Sequence, residues 1–475
     1  MLNKDDLLKL EKEEAIVLLL GIIEQMAAEI SKLKAQLNLN SKNSSKPPSS
    51  DGYKKPKPKS LRGSSGKKAG GQKGHEGNGL KLFNEPNNVV VHEPSECTQC
   101  PIQADCKAAK IVKETRYELD INIEIVTTAH QTIAVHCPQS AATLSGRFPG
   151  HIKGTMQYGV NIEALAVSLN TVGMVSVNRT HEILSGVFGI PISTGTISTM
   201  VAECAESVAP SVLEIKETVK SEPLIHLDET GVSVDKQTVW AHVASTDKLT
   251  HIDVHESRGQ KGMDAIGILM VFLGTIIHDC WAPYFKYAVR HGLCLAHLLR
   301  ELVGVSENTG QAWAQSLIDL LLAMKQTKEK LISHGYDAAS AYYLRKYSRM
   351  FDTILAEALE HNPVPVREPG KRGRVKRGKT GALVDRLILY KDMYFLFFTD
   401  FSVPFDNNQA ERDIRVFKIK LKVSGCFRTL KGAKDFAAIT SYVSTARKHG
   451  VPAFQSIKDA LLKKPFSIIH SGATE

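Results

Sequence analysis

The chain has 475 residues, 43% of them apolar, and a formal net charge of +10. This length is enough for about three domains with more than one hydrophobic core, which indicates a large globular protein rather than a small disulfide-stabilised scaffold. The excess of Lys and Arg predicts a polyanionic partner. No apolar run approaches the roughly 18 residues of a membrane span. The N-terminus also lacks a signal-peptide pattern, so we expect a cytoplasmic protein.

Residues 1–39 are predicted to form a helix that associates with a second copy of the chain. Apolar residues recur every seven positions in two series, as at the a and d positions of a coiled coil. The first series is Ile16, Ile23, Ile30 and Leu37, and the second is Leu19, Met26 and Leu33. An amphipathic helix packed on its own domain is the alternative, because three heptads are few for a stable coiled coil.

Residues 40–86 are predicted to be a disordered basic linker. In the stretch 42–78, ten residues are Lys or Arg, two are acidic, and Leu61 is the only large aliphatic residue. Such a segment cannot bury a core. If it is more than a solvated linker, its cations would follow DNA phosphates without sequence preference. Two further basic tracts lie at 367–379 and 411–434.

Residues 87–155 are predicted to form a zinc-binding domain. The predicted ligands are Cys97, Cys100, Cys106 and Cys137. The first two are separated by two residues, as in a zinc knuckle, and the last stands where a second knuckle would open. Ser140 occupies the position where that knuckle needs its second cysteine, so Cys106 or His136 completes the site, or the metal has been lost. The other interpretation is a set of free buried cysteines.

Residues 156–220 are predicted to be a helical DNA-binding domain. A helix over 178–186, a turn over 187–192 and a second helix resemble a helix-turn-helix, in which the second helix enters the major groove. The side chains predicted to contact DNA there are Ser193, Thr194, Thr196 and Ser198. A purely structural helix pair is the alternative.

Two apolar strand runs, 224–231 and 274–280, each carry an acid, Asp228 and Asp279. Burial of a carboxylate is costly and raises its pKa unless a cation holds it ionised, so the pattern favours metal ligands. Three meandering strands, a crossing helix and a fourth strand would form a mixed sheet in which the first and fourth strands can be neighbours, and the two acids would then meet. Glu229 is an alternative to Asp228 as the metal ligand, and Asp279 could instead be a turn residue at the end of its strand.

The third acid is Glu411, in a segment where Asx residues begin a helix. It has two local alternatives. Asn408 and Glu411 also fit a capping box, and Asp413 is a rival metal ligand. The predicted division of this half of the chain is a catalytic core over 221–300, a helical insertion with a basic loop over 301–380, the second part of the core over 381–450, and a tail over 451–475.

Seven sequence strings carry a resemblance to a known family. They are NSKNSSKPPSSD (40–51), GGQKGHEG (70–77), LDETG (227–231), HDCWAPY (278–284), CLAHLLREL (294–302), PFDNNQAERDIR (404–415) and GCFRTLKGAKDFAAITSYVSTARKHG (425–450). Together they resemble transposases of the insertion-sequence 66 family, in order over nearly the whole chain. The resemblance implies a DDE transposase, with a multidomain α+β and α/β fold, an RNase H-like mixed-sheet core and a helical insertion before the final glutamate.

Carried over to this sequence, the resemblance implies a triad of Asp228, Asp279 and Glu411 that holds two Mg²⁺ or Mn²⁺ ions, and structural Zn²⁺ at the cysteines. Water would cut the element end, and the freed 3′-hydroxyl would attack target DNA. The flanking residues expected to bind phosphates are Arg412, Arg415, Arg428 and Lys431.

The expected partners are element ends and target DNA, a second copy of the chain and accessory proteins of the element, in the bacterial cytoplasm at the nucleoid. A hydrolytic DNA nuclease and a non-catalytic DNA-binding regulator are the alternative functions.

Overall fold

The computed structural model describes residues 12–38, 40, 43–44, 85–99, 101, 107–108, 111–121, 123–139, 142–365 and 377–468. The chain divides into two compact units, one of residues 57–154 and the other of residues 1–56 and 155–475. In the smaller unit, the described elements are α2 (Ser95–Thr98), β1 (Ala134–His136) and β2 (Thr143–Ser145). The strands β1 and β2 pair in an antiparallel ribbon.

A five-stranded mixed sheet is the centre of the larger unit. Its strands are β3 (Leu224–Val234), β4 (Gln237–Ser245), β5 (Thr250–His255), β6 (Thr275–His278) and β7 (Arg290–Leu293). They lie in the order β5-β4-β3-β6-β7. The first three are antiparallel, whereas β6 runs parallel to both β3 and β7. The predicted pairing of the first and fourth strands is confirmed.

Two connections explain this strand order. Asp235 and Lys236 both have positive φ, at 43° and 64°, which suits the two-residue turn of a tight β3–β4 hairpin. The connection from β5 to β6 instead passes through helix α6 (Gln260–Ile266), and a crossover of this kind returns the chain parallel to its starting direction.

Helices cover both faces of the sheet. Alternate residues of β3 point to opposite faces. On one face Val232 and Val234 pack with α12 (Asn408–Ser424) and α13 (Leu430–Lys448). On the other face Ile225 and Leu227 pack with α6 and with the end of the long helix α5 (Thr194–Ser221). The sheet is therefore a buried middle layer, and a polar residue in its strands needs a specific partner.

A block of helices separates β7 from α12. It consists of α7 (Leu295–Thr309), α8 (Ala312–Ser333), α9 (Ala341–His361), α10 (Gly378–Leu389) and α11 (Lys391–Thr399). The block has its own apolar core around Trp313, Phe351 and Phe398, which are fully buried. Helices were expected here over 301–380, and the described helices continue to Thr399. Residues 366–376, which include most of the predicted basic loop, lie outside the described residues.

Three helices precede the sheet, namely α3 (Val160–Thr171), α4 (Val177–Gly186) and α5 (Thr194–Ser221). They share a core with α13 and with α14 (Ala453–Leu461). The structure differs here from the predicted tail over 451–475, because Ile457 and Ala460 are fully buried in that core. The apolar side of α14 is covered by α3 and α5, which lie far from it in sequence.

Helix α1 (Lys12–Leu37) presents its apolar series to solvent. Ile23 and Met26 are 59% and 58% exposed. Past the helix, Asn43 is buried against α7, where its side-chain amide donates to Glu307 (2.9 Å). Most of the predicted linker lies outside the described residues. In the described part of the chain, no helix combines the length and apolar content needed to cross a membrane.

Candidate active site

The sheet register brings Asp228 and Asp279 to the same level on neighbouring strands. Ile225 of β3 pairs with Ile276 of β6, and each acid lies three residues further along its parallel chain. Asp228 is inside β3, whereas Asp279 directly follows β6. The Asp279 carboxylate accepts the backbone N–H of Trp281 (3.1 Å), which fixes the turn after the strand.

Glu411 reaches these two acids from the helix that covers this face of the sheet. It lies in the first turn of α12, which packs against β3 on the side of the even-numbered residues, where Asp228 also lies. Its charge contributes to raising the pKa of Asp228, and the charge of Asp279 contributes to raising the pKa of Glu411. The structure thus brings together all three predicted acids.

The three carboxyl groups are costly to ionise where they stand. Burial is the main cause that raises the pKa of Asp228 well above its ordinary value, and neighbouring acids raise it further. Burial also raises the pKa of Asp279, to about 6, and raises that of Glu411 against the opposing charge of Arg300. A divalent cation would reverse this penalty, because it favours the ionised carboxylates.

The three carboxylates are too far apart, as they stand, for one ion to contact all of them. Among the described residues, these three carboxylates do not form a group whose oxygens all lie within 4.8 Å of one another. A single Mg²⁺ at about 2.0–2.1 Å from each ligand would need a tighter group. In addition, Glu411 Oε1 is buried without a hydrogen-bond partner.

Asn407 joins the first and third acids, and the sequence analysis missed it. Its side-chain amide donates to the carbonyl of Leu227 (2.7 Å), next to Asp228, and its residue is 1% exposed. Its Oδ1 must then accept from His226 Nδ1 (2.9 Å), which fixes that ring's tautomer. Burial lowers the pKa of His226, so the ring is neutral near pH 7. Asn407 therefore holds the start of α12 against β3.

Glu229, the alternative to Asp228, occupies the opposite face of β3. Its carboxylate accepts from Arg258 (2.8 Å) and from the hydroxyl of Tyr284 (2.7 Å), and its side chain is only 2% exposed. The Arg258 guanidinium in turn lies 4.8 Å from the ring centre of Trp240 and 4.2 Å from that of Trp281. This carboxylate already has its partners, which favours a structural role.

The alternatives to Glu411 are also occupied by other contacts. Asp413 accepts from Thr250 (2.9 Å) and Lys448 (2.8 Å), on the side of α12 that faces β5 and α13. No capping box forms at the start of α12. The backbone N–H of Asn408 is accepted by Asp406 (3.1 Å). From the residues that the structure describes, the Glu411 carboxylate accepts no hydrogen bond of this kind, and its Oε1 lies 3.7 Å from His297 Nδ1 and 3.9 Å from the Arg300 guanidinium.

The predicted phosphate-binding residues Arg412, Arg415, Arg428 and Lys431 are all exposed. A fifth cation, Lys418, follows Arg415 by one helical turn on α12 and donates to the carbonyl of Gly231 in β3 (3.0 Å). Burial lowers the pKa of Lys418, and the charge of Asp228 opposes that shift, which indicates that the two groups are close. The sequence signal was present, since Glu411, Arg415, Lys418 and Lys422 repeat at spacings of four and three residues.

The predicted helix pair is present as α4 and α5, joined by a turn over 187–193. Ser193 caps α5 by accepting the N–H of Thr196 (3.0 Å), and the hydroxyl of Ser198 bonds back to the carbonyl of Thr194 (3.0 Å). Ser193, Thr194 and Ser198 are exposed, and Thr196 is half-buried. Several of these hydroxyls thus already contribute to the helix itself.

Two of the predicted zinc ligands can be placed. Cys97 is exposed within α2, and Cys137 is half-buried directly after β1, where its N–H donates to the carbonyl of Ala142 (2.9 Å). Cys100, Cys106 and Ser140 lie outside the described residues. The zinc site therefore stays a prediction.

A mixed sheet flanked by helices, with acids from two adjacent strands and a later helix at one place, is consistent with a DDE transposase-like core. A family model described as Transposase IS66 family matches residues 155–435, more than half of the chain. The chain belongs to this family and is a transposase, an enzyme that acts on DNA. A second model, Family of unknown function (DUF6444), matches residues 4–81. No curated protein matches the chain.

Proposed function

We propose that this transposase has an RNase H-like DDE core, cuts DNA at the ends of its element and transfers the freed 3′-hydroxyl into target DNA. The observation that carries the proposal is the meeting of Asp228, Asp279 and Glu411. These acids come from separate elements and are costly to ionise together. Among the described residues, none of the three accepts a side-chain hydrogen bond of the kind that satisfies nearby Glu229 and Asp413.

The donor set fits Mg²⁺ or Mn²⁺. Both ions prefer oxygen ligands, and Mg²⁺ keeps several waters, so three carboxylates with a substrate phosphate are enough. Asp228, Asp279 and Glu411 would hold the ions. Bound there, the ions would supply charge stabilisation to an in-line phosphoryl displacement.

The chain's own side chains position the reactants. Arg415 and Lys418 form a basic stripe on α12 that starts beside Glu411, and it would hold the DNA backbone next to the acids. Asn407 keeps the helix and the strand at a fixed distance, because its bonds to Leu227 and His226 are buried. A misplacement of about 1 Å can cost a hundredfold in rate, so this link bears directly on activity.

We assign the recognition of DNA sequence to helices α4 and α5, and sequence-independent DNA affinity to the basic residues 42–78. Removal of residues 42–78 should weaken DNA binding and flatten its salt dependence, because ten cations are lost. Substitution of Thr194 and Thr196 by Ala should instead reduce the preference for element ends. Binding to element-end and random duplexes across a salt series separates the two effects. The assignment of sequence recognition to α4 and α5 would be wrong under two conditions together. Removal of 42–78 would abolish the preference for element ends, and the Thr194 and Thr196 variants would retain it.

The remaining parts of the proposal concern assembly. The exposed apolar series of α1 would pair two chains and so bring two DNA ends together, which suits a transposase more than a simple nuclease. We also propose that residues 87–155 bind a structural zinc ion, that accessory proteins of the element take part, and that the protein acts at the bacterial nucleoid.

A strand-transfer assay with Mg²⁺ and the DNA that flanks the gene tests the central proposal. The expected result is cut element ends and joined products, with neither formed by the Glu411→Gln variant. Cut ends without joined products would favour a hydrolytic nuclease on the same core. Binding without cutting would favour a DNA-binding regulator.

A further inference from the structure

A second set of possible metal ligands lies beside Glu411, on the side of α7. Cys294 immediately precedes that helix, and His297 is in its first turn. The Cys294 sulfur is 3.2 Å from His297 Nδ1, which is 3.7 Å from Glu411 Oε1. Among the described residues, this is the group of three Cys, His or acidic side chains whose ligand atoms all lie within 4.8 Å of one another.

These separations match a tetrahedral zinc site. Zinc binds Cys sulfur at about 2.3 Å, His nitrogen at about 2.0–2.1 Å and carboxylate oxygen at about 2.0–2.2 Å. Tetrahedral angles then place the ligand atoms roughly 3.4–3.6 Å apart. The two observed separations, 3.2 Å from sulfur to nitrogen and 3.7 Å from nitrogen to oxygen, fall close to that range. Small side-chain movements would suffice to close the site.

The ligands are held in place before any ion arrives. Cys294 is 3% exposed, and its sulfur accepts the N–H of Asn407 (3.2 Å). The next residues of α7, Leu295 and Leu298, are buried in the core of the helical block. The spacing of two residues between Cys294 and His297 then places both donors at the start of α7.

The chemistry of this set differs from that of the three acids. A thiolate and an imidazole select zinc-like ions, whereas carboxylates alone suit Mg²⁺. Glu411 Oε1 is buried without a hydrogen-bond partner, and it is the one ligand atom that both sets would use. An ion held by Cys294 and His297 would therefore compete for this oxygen.

We propose that Cys294, His297 and Glu411 form a site for Zn²⁺, and that zinc bound there withdraws Glu411 from the catalytic ions and inhibits the transposase. The thiol gives up its proton to solvent as the zinc–sulfur bond forms. The binding site stands on the geometry alone. Only the inhibition rests on the proposed function.

The binding test uses Co²⁺ as a spectroscopic stand-in for zinc in the full-length protein. A background with Cys97→Ser and Cys137→Ser disables the separate cysteine segment. We expect a sulfur-to-cobalt charge-transfer band that saturates at one equivalent of Co²⁺ per chain and that zinc displaces. The band should disappear in Cys294→Ser, and zinc affinity should fall at least about tenfold in His297→Gln, since even changes beyond the ligands cost that much.

Cys426→Ser is the matched control, because Cys426 is an exposed cysteine outside the group, and this variant should keep the band. Absence of the band from the background, or its survival in Cys294→Ser, would overturn the site. His297 is partly exposed on its helix, so His297→Gln guards against a folding defect in the cysteine variant.

The inhibition test is a zinc titration of Mg²⁺-dependent DNA cleavage, with each variant compared to its own rate without zinc. Zinc should inhibit the background protein at least about tenfold more strongly than His297→Gln. Equal inhibition of both would overturn the regulatory part. If even the protein with all its cysteines intact does not cleave DNA, the proposed function fails, and the cobalt spectra still decide the binding site.

Discussion

Asp228 and Glu229 are neighbours in one strand, but their carboxylates differ in whether side chains donate hydrogen bonds to them. Glu229 accepts from Arg258 and Tyr284, and its side chain is 2% exposed. Asp228 accepts only the N–H of the next residue (2.9 Å) among the hydrogen bonds described for it. It faces two other acids, and its pKa is well raised by burial and by their charges. Where an acid has partners, it contributes to stability. Where it lacks them, as at Asp228, it is available to bind the cation that we propose.

The largest expected effect separates these two neighbours. Asp228→Asn should reduce cleavage more than about a hundredfold, because even groups beyond the metal ligands cost 10–100-fold. Its free energy of unfolding should not fall. Glu229→Gln should instead lower that free energy by about 2–3 kcal/mol, since Arg258 loses its charged partner. Cleavage rates and denaturant unfolding of both variants measure this, and a fully active Asp228→Asn would contradict it.

The next comparison is between Glu411 and Asp413 on the same helix. Glu411→Gln should abolish cleavage and keep DNA affinity, because it removes a metal ligand and no phosphate contact. Asp413→Asn weakens the contacts with Thr250 and Lys448 and should act mainly on stability. DNA cleavage, DNA binding and thermal unfolding are the measurements. A dead Asp413→Asn beside an active Glu411→Gln would reverse the assignment.

Asn407 should show a smaller effect on both properties. Asn407→Ala removes the bonds to Leu227 and His226, and each lost buried bond costs about 1–3 kcal/mol of stability. Cleavage should fall about 10–100-fold because the third acid is no longer fixed to the first. Ser402→Ala, at an exposed loop hydroxyl, is the control. If Asn407→Ala loses stability but its folded fraction cleaves DNA at the unchanged rate, then Asn407 contributes only to folding.

The pH dependence of stability sharpens the contrast further. The pKa of Asp279 is raised to about 6, so its folded state favours the proton. Its contribution to stability is therefore fully present below the ordinary pKa and is lost as pH rises through about 6. The loss is about 3 kcal/mol at most. Mg²⁺ should raise the melting temperature above that pH and do little well below it, and Asp279→Asn should flatten both dependences.

The smallest effect concerns the basic stripe. Lys418→Ala should weaken binding to all DNA sequences and reduce the salt slope by about 1, since one phosphate contact is lost. Lys330→Ala, an exposed cation on α8, should change neither. Duplex binding over a salt series measures both variants. Equal salt slopes for Lys418→Ala and the unsubstituted protein would remove Lys418 from the DNA contact surface.

Sequence reasoning located the acids because an ionisable residue inside an apolar strand is costly and therefore informative. It could not identify Asn407, because an Asx residue before a helix resembles an ordinary cap. It could not choose between Asp228 and Glu229 from the residues alone. The choice depends on Arg258, which lies between β5 and α6 and binds Glu229 from there. This contact joins residues 29 positions apart in sequence, so the local pattern does not reveal it.

The fold was predictable to a similar depth. The pairing of the first and fourth strands followed from apolar runs and from the helix between the third and fourth strands, whereas the fifth strand, β7, was not predicted. The helix α14 was missed in the predicted tail. Its buried face, with Ile457 and Ala460, packs on helices that lie far away in sequence, so the local pattern does not reveal its partner. Local signals thus specify elements, whereas shared cores depend on contacts distant in sequence.

The most direct test of the central claim is to locate the metal on the protein. Fe²⁺ in place of Mg²⁺, with added hydrogen peroxide as oxidant and ascorbate to reduce the iron again, generates hydroxyl radicals that cut the backbone close to the bound ion. The account predicts cuts near Asp228, Asp279 and Glu411, which are suppressed by excess Mg²⁺, absent in Asp228→Asn and retained in Glu229→Gln. Unchanged cuts in Asp228→Asn, or no cuts near residues 228 and 279, would contradict it.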